Sequence, residues 1–196
     1  MGKVFIDAEE LLLDSYRLVV KIYESGFRPD FIIGLWRGGT PVGIAVQDCL
    51  EYLGVETDHI SIRTSYRGMS TYSDMVEKGE NIQVHGLQYV LDNLNNSDSL
   101  LIVDDVFSTG LNVNAVIETL SEKLRRNLPE DIRIAVPWCK PEKNRTGRSP
   151  DYHLYETDKW LVFPYELDGL SIDEIRDYKP RLMDTINEVF ESLPEN

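Results

Sequence analysis

The chain has 196 residues, with 20 Lys and Arg against 34 Asp and Glu, so its formal net charge is -14 at pH 7. This length suits a single domain with one sizeable core, and the acidic balance argues against binding to nucleic acid or to an anionic membrane surface. Two cysteines are too few for a disulfide framework, and the sequence contains neither a secretory signal nor a membrane-spanning apolar run, so we expect a cytoplasmic protein.

The first predicted elements are a helix and a βα unit. Apolar residues recur at helical spacing over residues 7–25, and Gly26 ends this amphipathic helix. A buried strand over residues 31–35 leads through a tight turn into a second helix, which runs to Tyr52. The turn, residues 37–40, offers consecutive backbone N–H groups and one cation, which suits an anion. Taken alone, the Gly-Gly pair is weak evidence for such a site, because an ordinary tight βα turn has the same pattern.

The character of the sequence changes after the next strand. Residues 59–63 alternate polar and apolar side chains, as a strand with one covered face does. From Thr64 to about Gly79 the sequence is polar, contains glycine and lacks helical periodicity. Long irregular segments in compact domains are typically lids or flexible surface loops, and both interpretations remain open for this one.

The central feature is a short strand that ends in two acids. Apolar and β-branched residues over 99–103 predict a strand of a parallel sheet, buried on both faces. Asp104 and Asp105 follow at its carboxyl end, where open α/β sheets bind ligands. Adjacent carboxylates repel each other unless a cation or donor hydroxyls intervene. Residues 108–110, Ser-Thr-Gly, then enter a helix, and their N–H groups and hydroxyls suit a phosphate. Acid pairs at strand ends also occur in phosphate-accepting receiver domains and some hydrolases.

The remaining elements continue the α/β pattern. We predict helices over 86–94 and 111–127, a buried strand over 132–136, a short strand over 153–156, and one or two C-terminal helices broken at Pro180. The strand at 132–136 delivers Lys140 to the same sheet edge as the acids. His59, His85 and His153 lack metal-ligand spacing and are interpreted as structural. Apolar positions of the C-terminal helices pack on the body or on a partner, and a homo-oligomer is expected.

The stretch from Val103 to Gly110 resembles the phosphoribosyl pyrophosphate signature of the type I phosphoribosyltransferases: an apolar strand, two acids, two apolar residues and a small phosphate loop. The resemblance extends in motif order from Phe31 to Glu166. It implies an α/β, parallel-sheet type I phosphoribosyltransferase fold, with residues 1–196 as a single domain. A mobile lid loop is expected at about 64–80 and a small C-terminal hood at about 137–196.

The resemblance also implies roles for the residues around the acid pair. Asp104 and Asp105 would hold the ribose hydroxyls and share in metal binding, and the basic-Gly-Gly turn would hold pyrophosphate. Ser65 and Tyr66 resemble the start of the lid that purine phosphoribosyltransferases close over the reacting centre. The peptide bond between Trp36 and Arg37 is expected to be cis. Expected catalytic residues are Arg37, Asp104, Asp105, Ser65 and Tyr66; expected substrate ligands here are Gly38, Gly39, Ser108, Thr109, Gly110, Leu111 and Asn112.

The purine base and the metal have their own expected residues. Lys140 resembles the lysine that donates to the six-oxo group of the base in purine members of the family. Trp160 would stack on the purine, with Leu161 and Val162 beside it, where backbone groups read the base edge. Glu166, six residues after Trp160, would help to hold magnesium, although the relatives usually have Asp there.

The implied activity is transfer of a 5-phosphoribosyl group from phosphoribosyl pyrophosphate to a six-oxopurine (hypoxanthine, guanine or xanthine), with Mg²⁺ as cofactor. One departure supports an alternative. Hypoxanthine and guanine enzymes carry an acid at the position of Ser108, which is thought to take a proton from the purine, and a neutral serine cannot do so. The alternative is a non-catalytic sensor of phosphoribosyl pyrophosphate or a nucleotide with the same fold.

Overall fold

The structure is a computed structural model that describes residues 2–66 and 82–191. Its strands are β1 (Lys3–Phe5), β2 (Phe31–Trp36), β3 (Asp58–Tyr66), β4 (Ile82–His85), β5 (Ser99–Val103), β6 (Val106–Phe107), β7 (Asp131–Cys139), β8 (Tyr152–Glu156) and β9 (Trp160–Val162). Its α-helices are α1 (Ala8–Glu24), α2 (Gly39–Tyr52), α3 (Gln88–Asn93), α4 (Leu111–Leu124), α5 (Ile172–Tyr178) and α6 (Pro180–Glu191). No helix in this part of the chain has both the length and the apolar composition to cross a membrane.

Seven strands form one mostly parallel sheet. The strand order is β4-β3-β2-β5-β7-β6, and β8 also pairs with β7. All pairs are parallel except β3 with β4, which is antiparallel. The predicted parallel α/β fold is therefore confirmed. This order places the carboxyl ends of β2, β5 and β7 side by side, which is where parallel α/β sheets form their binding sites.

Alternating side chains of the central strands feed two separate cores. In β2 and β5, Ile33 and Ile102 pack with α3 and α4 on one face, whereas Ile32 and Leu101 pack with α1 and α2 on the other. All four side chains are fully buried. Both faces of the sheet are thus covered, as the continuous apolar runs of these strands predict.

The helix boundaries follow local chemistry. Asp7 caps α1 by accepting a hydrogen bond from the Glu10 N–H at 2.8 Å, and Gly26 leaves the helix with a φ of 82°. The helix predicted over 111–127 ends as α-helix at Leu124, and a single 3₁₀ turn continues to Asn127. These helices were predicted to within a few residues.

The edge of the sheet differs from the expectation. Thr64 to Tyr66, predicted to begin the lid, instead continue β3 and pair with β4, a strand that sequence analysis missed. The Ser65 hydroxyl lies 2.8 Å from His85 Nε2 across this pair. Pairing with β4 supplies partner residues for the backbone of residues 64–66. The polar sequence alone did not indicate this pairing. The rest of the predicted lid, residues 67–80, lies outside the described residues.

The C-terminal segment predicted as a hood contributes to two sheets. β7 and β8 belong to the main sheet, whereas β9 forms a separate parallel pair with β1. Helix α5 is joined to this pair by an ion pair of 2.7 Å between Lys3 and Glu174 and by stacking of Phe5 on Tyr178 at 3.8 Å. The N-terminal strand β1 therefore packs against both β9 and helix α5.

Candidate functional site

The acid pair after β5 lies against the turn between β2 and α2. β2 and β5 are parallel neighbours with Gly34 opposite Val103, so the segments that follow them emerge at the same sheet edge. A Cβ atom on Gly38 would overlap the Asp105 carboxylate, and one on Gly39 would overlap the carbonyl oxygen of Val103. Only glycine permits this approach of the two backbones.

The environment of the two acids opposes their ionisation. Asp105 is buried, and Asp104 is half-buried beside it. Burial, and then the neighbouring Asp105 carboxylate, raise the pKa of Asp104 well above its usual value. Burial also raises the pKa of Asp105, while hydrogen bonds to its carboxylate, led by the Tyr165 hydroxyl at 2.6 Å, lower it. The pair is thus prepared for a ligand that brings hydroxyl donors or positive charge.

The β2–α2 turn has the features of an anion site. The Trp36–Arg37 peptide bond is cis, as predicted. Arg37 is exposed, whereas Gly38 and Gly39 are buried against the acids. The Thr40 hydroxyl is buried and has no hydrogen-bond partner among the described residues. Most buried polar atoms have a hydrogen-bond partner, so this hydroxyl is available to an anion at the turn.

The loop at residues 108–110 enters α4 through a left-handed glycine. Gly110 has a φ of 74°, and a Cβ atom there would lie 2.6 Å from both Phe107 Cζ and Thr146 Oγ1. The Arg145 N–H donates to the Thr109 carbonyl oxygen at 3.0 Å. The loop after β7, which carries Lys143, Arg145 and Arg148, therefore packs against Thr109 and Gly110. These two residues belong to the predicted substrate-binding set of Ser108, Thr109, Gly110, Leu111 and Asn112.

Lys140 lies at the end of β7 with little exposure. Its side chain is 8% exposed, and its Nζ atom donates to the Lys159 carbonyl oxygen at 2.8 Å. Burial and then the charge of Lys143 lower the pKa of Lys140, whereas Asp105 is among the carboxylates that raise it. The structure thus brings this ammonium group to the edge that carries the acid pair, as predicted.

A tight turn at residues 163–166 carries Glu166 to the site. The Glu166 N–H donates to the Phe163 carbonyl oxygen at 3.0 Å, and the Phe163 N–H donates to Glu166 Oε2 at 3.1 Å. Lys179 Nζ donates to the carbonyl oxygens of Phe163 and Pro164, each at 3.0 Å. Burial raises the pKa of Glu166, and Asp105 adds to this effect. Glu166 is therefore a carboxylate near the acid pair with one oxygen already bound.

The predicted base-binding residues divide by exposure. Trp160 is 56% exposed at the start of β9, so its ring is free to stack on a ligand. Leu161 and Val162 have buried side chains, and the Val162 carbonyl oxygen accepts from the Ile6 N–H at 3.0 Å. Any contact of these two residues with a base must therefore come from backbone atoms that β1 leaves free.

Ser65 and Tyr66 lie in β3, beyond its last paired residue with β2, and the described contacts of Ser65 do not join it to the acid pair.

Two of the histidines have neighbouring polar side chains. His59 Nδ1 lies 3.1 Å from Gln47 Oε1, and His153 Nε2 lies 3.1 Å from Glu156. Within residues 2–66 and 82–191, no group of three or more His, Cys, Asp or Glu side chains forms a metal site.

Sequence analysis missed three features of the site. Tyr165, which donates to Asp105, and Lys179, which holds the 163–166 turn, were not predicted. The packing of the loop at 144–148 against the phosphate loop was also missed. Its signal was the density of Lys and Arg in a polar loop, which by itself also fits a solvated surface.

The parallel α/β fold, with an acid pair after β5 that lies against the β2–α2 turn and is followed by the loop at residues 108–110, is that of a type I phosphoribosyltransferase. A family model described as a phosphoribosyl transferase domain matches residues 6–169, and the chain belongs to this family. A sequence comparison with curated proteins found no match.

Solved structures agree with this class. The chain is similar to a purine phosphoribosyltransferase from Pyrococcus horikoshii, with 27% identity, coverage of 87% of this chain and 99% of the other, and a TM-score of 0.64. It has the fold of a Helicobacter pylori xanthine-guanine-hypoxanthine phosphoribosyltransferase, with 17% identity, coverage of 85% and 95%, and a TM-score of 0.60. A hypothetical protein from Neisseria gonorrhoeae with bound ppGpp shares the fold at 20% identity, coverage of 92% and 97%, and a TM-score of 0.66.

Proposed function

We propose that the protein transfers the 5-phosphoribosyl group of phosphoribosyl pyrophosphate to a six-oxopurine base and releases pyrophosphate. The observation that carries this proposal is the placement of the buried Asp105 carboxylate directly against Gly38, between two loops built for anions. Phosphoribosyl pyrophosphate has a phosphate at one end, a diphosphate at the other and a diol between them. The order of loop, acid pair and loop matches that order of chemical groups.

Each end of the substrate has donors that suit it. The loop at 108–112, with the N-terminus of α4 behind it, supplies N–H groups and hydroxyls for the 5-phosphate. The turn at 37–40 supplies an exposed cation, two close-packed glycines and the unpartnered Thr40 hydroxyl for the pyrophosphate. Catalysis would come from positioning and from stabilising the charge of the leaving group, since no nucleophile is required of the protein.

The carboxylates fit a magnesium ion that arrives with the substrate. Mg²⁺ prefers oxygen ligands and binds through one or two carboxylates together with substrate phosphates. One or two of Asp104, Asp105 and Glu166 would supply such oxygens, because these three side chains do not by themselves form a metal site. Their raised pKa values mean that a divalent cation would stabilise their ionised forms. The ion would neutralise diphosphate charge. The protein residues hold the diol and the diphosphate in place around it.

The base side of the site suits a six-oxopurine. A buried ammonium group can donate but cannot accept a hydrogen bond, so Lys140 complements an oxo group and opposes an amino group. The exposed ring of Trp160 offers a stacking surface near the carbonyl that Lys140 contacts. These features favour hypoxanthine, guanine or xanthine over adenine.

The second candidate is a sensor that binds phosphoribosyl pyrophosphate or a nucleotide without turning it over. Its support is Ser108, which cannot act as a general base at the head of the phosphate loop. The Neisseria gonorrhoeae protein of the same fold, with bound ppGpp, is an example of a nucleotide ligand in this architecture.

The deciding experiment is a panel of free bases incubated with the protein, magnesium and phosphoribosyl pyrophosphate, scored for release of pyrophosphate. We expect release with at least one six-oxopurine and much less with adenine or uracil. Tight binding of phosphoribosyl pyrophosphate with no release for any purine would replace the enzyme proposal with the sensor. No binding at all would reject both.

A further inference from the structure

The hydroxyl of Tyr165 contacts the acid pair at the place where Asp105 lies against the β2–α2 turn. Tyr165 Oη donates to Asp105 Oδ2 at 2.6 Å. A Cβ atom on Gly38 would lie 2.6 Å from the same hydroxyl oxygen. The tyrosine hydroxyl, the carboxylate and the turn therefore converge at one place, although the three residues come from separate parts of the chain.

Tyr165 is held there by its own turn. The backbone of residues 163–166 is closed by the two hydrogen bonds between Phe163 and Glu166, and Lys179 ties two carbonyl oxygens of the turn to the end of α5. The Tyr165 ring is parallel to the Phe163 ring, with an interplanar angle of 5° and centroids 5.8 Å apart. The position of the hydroxyl thus depends on a fixed turn and a packed ring, and not only on its bond to Asp105.

We propose that Tyr165 is a positioning residue for ribose. Its hydroxyl, which the 163–166 turn holds in place, donates to the Asp105 carboxylate and orients it towards the ribose hydroxyls. This inference rests on the proposed function. An ionised carboxylate has about four acceptor positions, so the bond from Tyr165 leaves most of them for the ligand. A carboxylate held in one orientation loses less freedom when ribose binds, which strengthens binding without a contact between Tyr165 and the ligand.

The test compares Tyr165→Phe with wild type. This change removes one oxygen and keeps the ring that packs on Phe163, so the protein should remain folded. The hydrogen bond exists before the ligand binds, so its loss affects binding only because the ligand must then immobilise the Asp105 carboxylate. We expect this to raise the Kd for phosphoribosyl pyrophosphate with magnesium by about 2- to 10-fold. We expect KM to rise by a similar factor, kcat at saturation to stay within about twofold, and the Kd of inorganic pyrophosphate to be unchanged.

Tyr155→Phe is the matched control. The Tyr155 hydroxyl donates to another buried carboxylate, Asp14 Oδ1, at 2.9 Å, and the described contacts of this pair do not include the acid pair. Both variants lose a tyrosine-to-carboxylate hydrogen bond, so thermal unfolding should register a similar loss of stability. Only Tyr165→Phe should weaken binding of the ribosyl ligand.

The outcomes separate the role of Tyr165 from the proposed function, with Kd values measured by titration calorimetry. Equal Kd values in wild type and Tyr165→Phe would overturn the positioning role, as would tighter binding, which would mean that the hydroxyl competes with ribose. If Tyr155→Phe raised the Kd for phosphoribosyl pyrophosphate equally, or if Tyr165→Phe also raised the Kd of pyrophosphate, the effect would reflect general damage to the protein. Either result would overturn the positioning role. Binding without turnover would refute only the transferase, and absence of binding by wild type would reject both proposals.

Discussion

Lys140 at the end of β7 donates a hydrogen bond from Nζ to the backbone carbonyl oxygen of Lys159 at 2.8 Å, just before β9 begins. This contact connects the main sheet to the segment that carries Trp160. It uses one of the three N–H donors of the ammonium group and leaves two for a ligand. Burial lowers the pKa of Lys140, and nearby carboxylates oppose that shift. The two remaining N–H donors suit a hydrogen-bond acceptor on the ligand.

Lys140→Ala should reduce the preference for hypoxanthine over adenine. The side chain donates to the six-oxo group in our proposal, and a polar group that is left without its partner is costly in a buried site. We expect the ratio of kcat/KM values for the two bases to fall by about 100-fold. Lys159→Ala is the control, since only its backbone carbonyl contacts Lys140 and its side chain is exposed. An unchanged ratio in Lys140→Ala would show that another group selects the base.

Gly38→Ala should abolish binding of phosphoribosyl pyrophosphate. The new methyl group would overlap the Asp105 carboxylate, so the turn or the acid must move. Overpacking of this kind typically costs about 1–3 kcal/mol of stability. Gly2→Ala is the control, because a Cβ atom there has nothing within 4 Å and the residue precedes β1, outside the loops of the candidate site. Calorimetric binding and thermal unfolding of both variants test this, and normal binding by Gly38→Ala would contradict the close approach.

Ser108→Asp should raise turnover at saturating phosphoribosyl pyrophosphate. The carboxylate would supply the general base that the position lacks, and such a base is typically worth about 100-fold or more, although an unoptimised one will deliver less. Repulsion between the new charge and the 5-phosphate should also raise KM, so kcat is the quantity to compare. Ser108→Ala, which adds no base, should show no gain. A kcat for Ser108→Asp at or below that of Ser108→Ala would count against this role of the position.

Asp105→Asn should make the protein more stable at pH 7 while impairing ribose binding. Burial raises the pKa of Asp105, so the folded state binds more protons than the unfolded state between the two pKa values. Stability therefore falls as the pH rises from about 4 through the raised folded pKa. Asparagine avoids this loss, and we expect a higher Tm than that of wild type at pH 7, with a difference that disappears towards pH 4.

Asp14→Asn provides the comparison for this pH series. Asp14 is fully buried, but its Oδ1 accepts from Arg17 at 2.7 Å and from Tyr155 at 2.9 Å. Neutralising a carboxylate with such partners should lower stability, so the two variants should shift Tm in opposite directions. If Asp105→Asn were no more stable than wild type at pH 7, burial of the ionised Asp105 carboxylate would not destabilise the folded state, contrary to the expectation from the structure.

The sequence by itself determined the elements whose chemistry is local. The apolar strand, the two acids and the loop that ends at Gly110 lie within one short stretch, and strand burial, turn formation and the left-handed glycine each depend on near neighbours. The same holds for the β2–α2 turn, whose glycines are adjacent in sequence. From these two stretches the parallel sheet, the site at its carboxyl edge and the two loops that suit anions could all be predicted.

The tertiary structure alone decided which distant residues contact each other, both in the candidate site and elsewhere in the fold. Tyr165 lies 60 residues from Asp105, and Lys3 lies 171 residues from Glu174, so no periodicity or spacing encodes those contacts. The short β4 and the pairing of β1 with β9 also depend on a partner strand elsewhere in the chain. In the sequence, Tyr165 follows Pro164, and this pattern predicts only a turn. Tyr165 becomes part of the candidate site because packing of the 163–166 turn brings its hydroxyl to the buried Asp105 carboxylate.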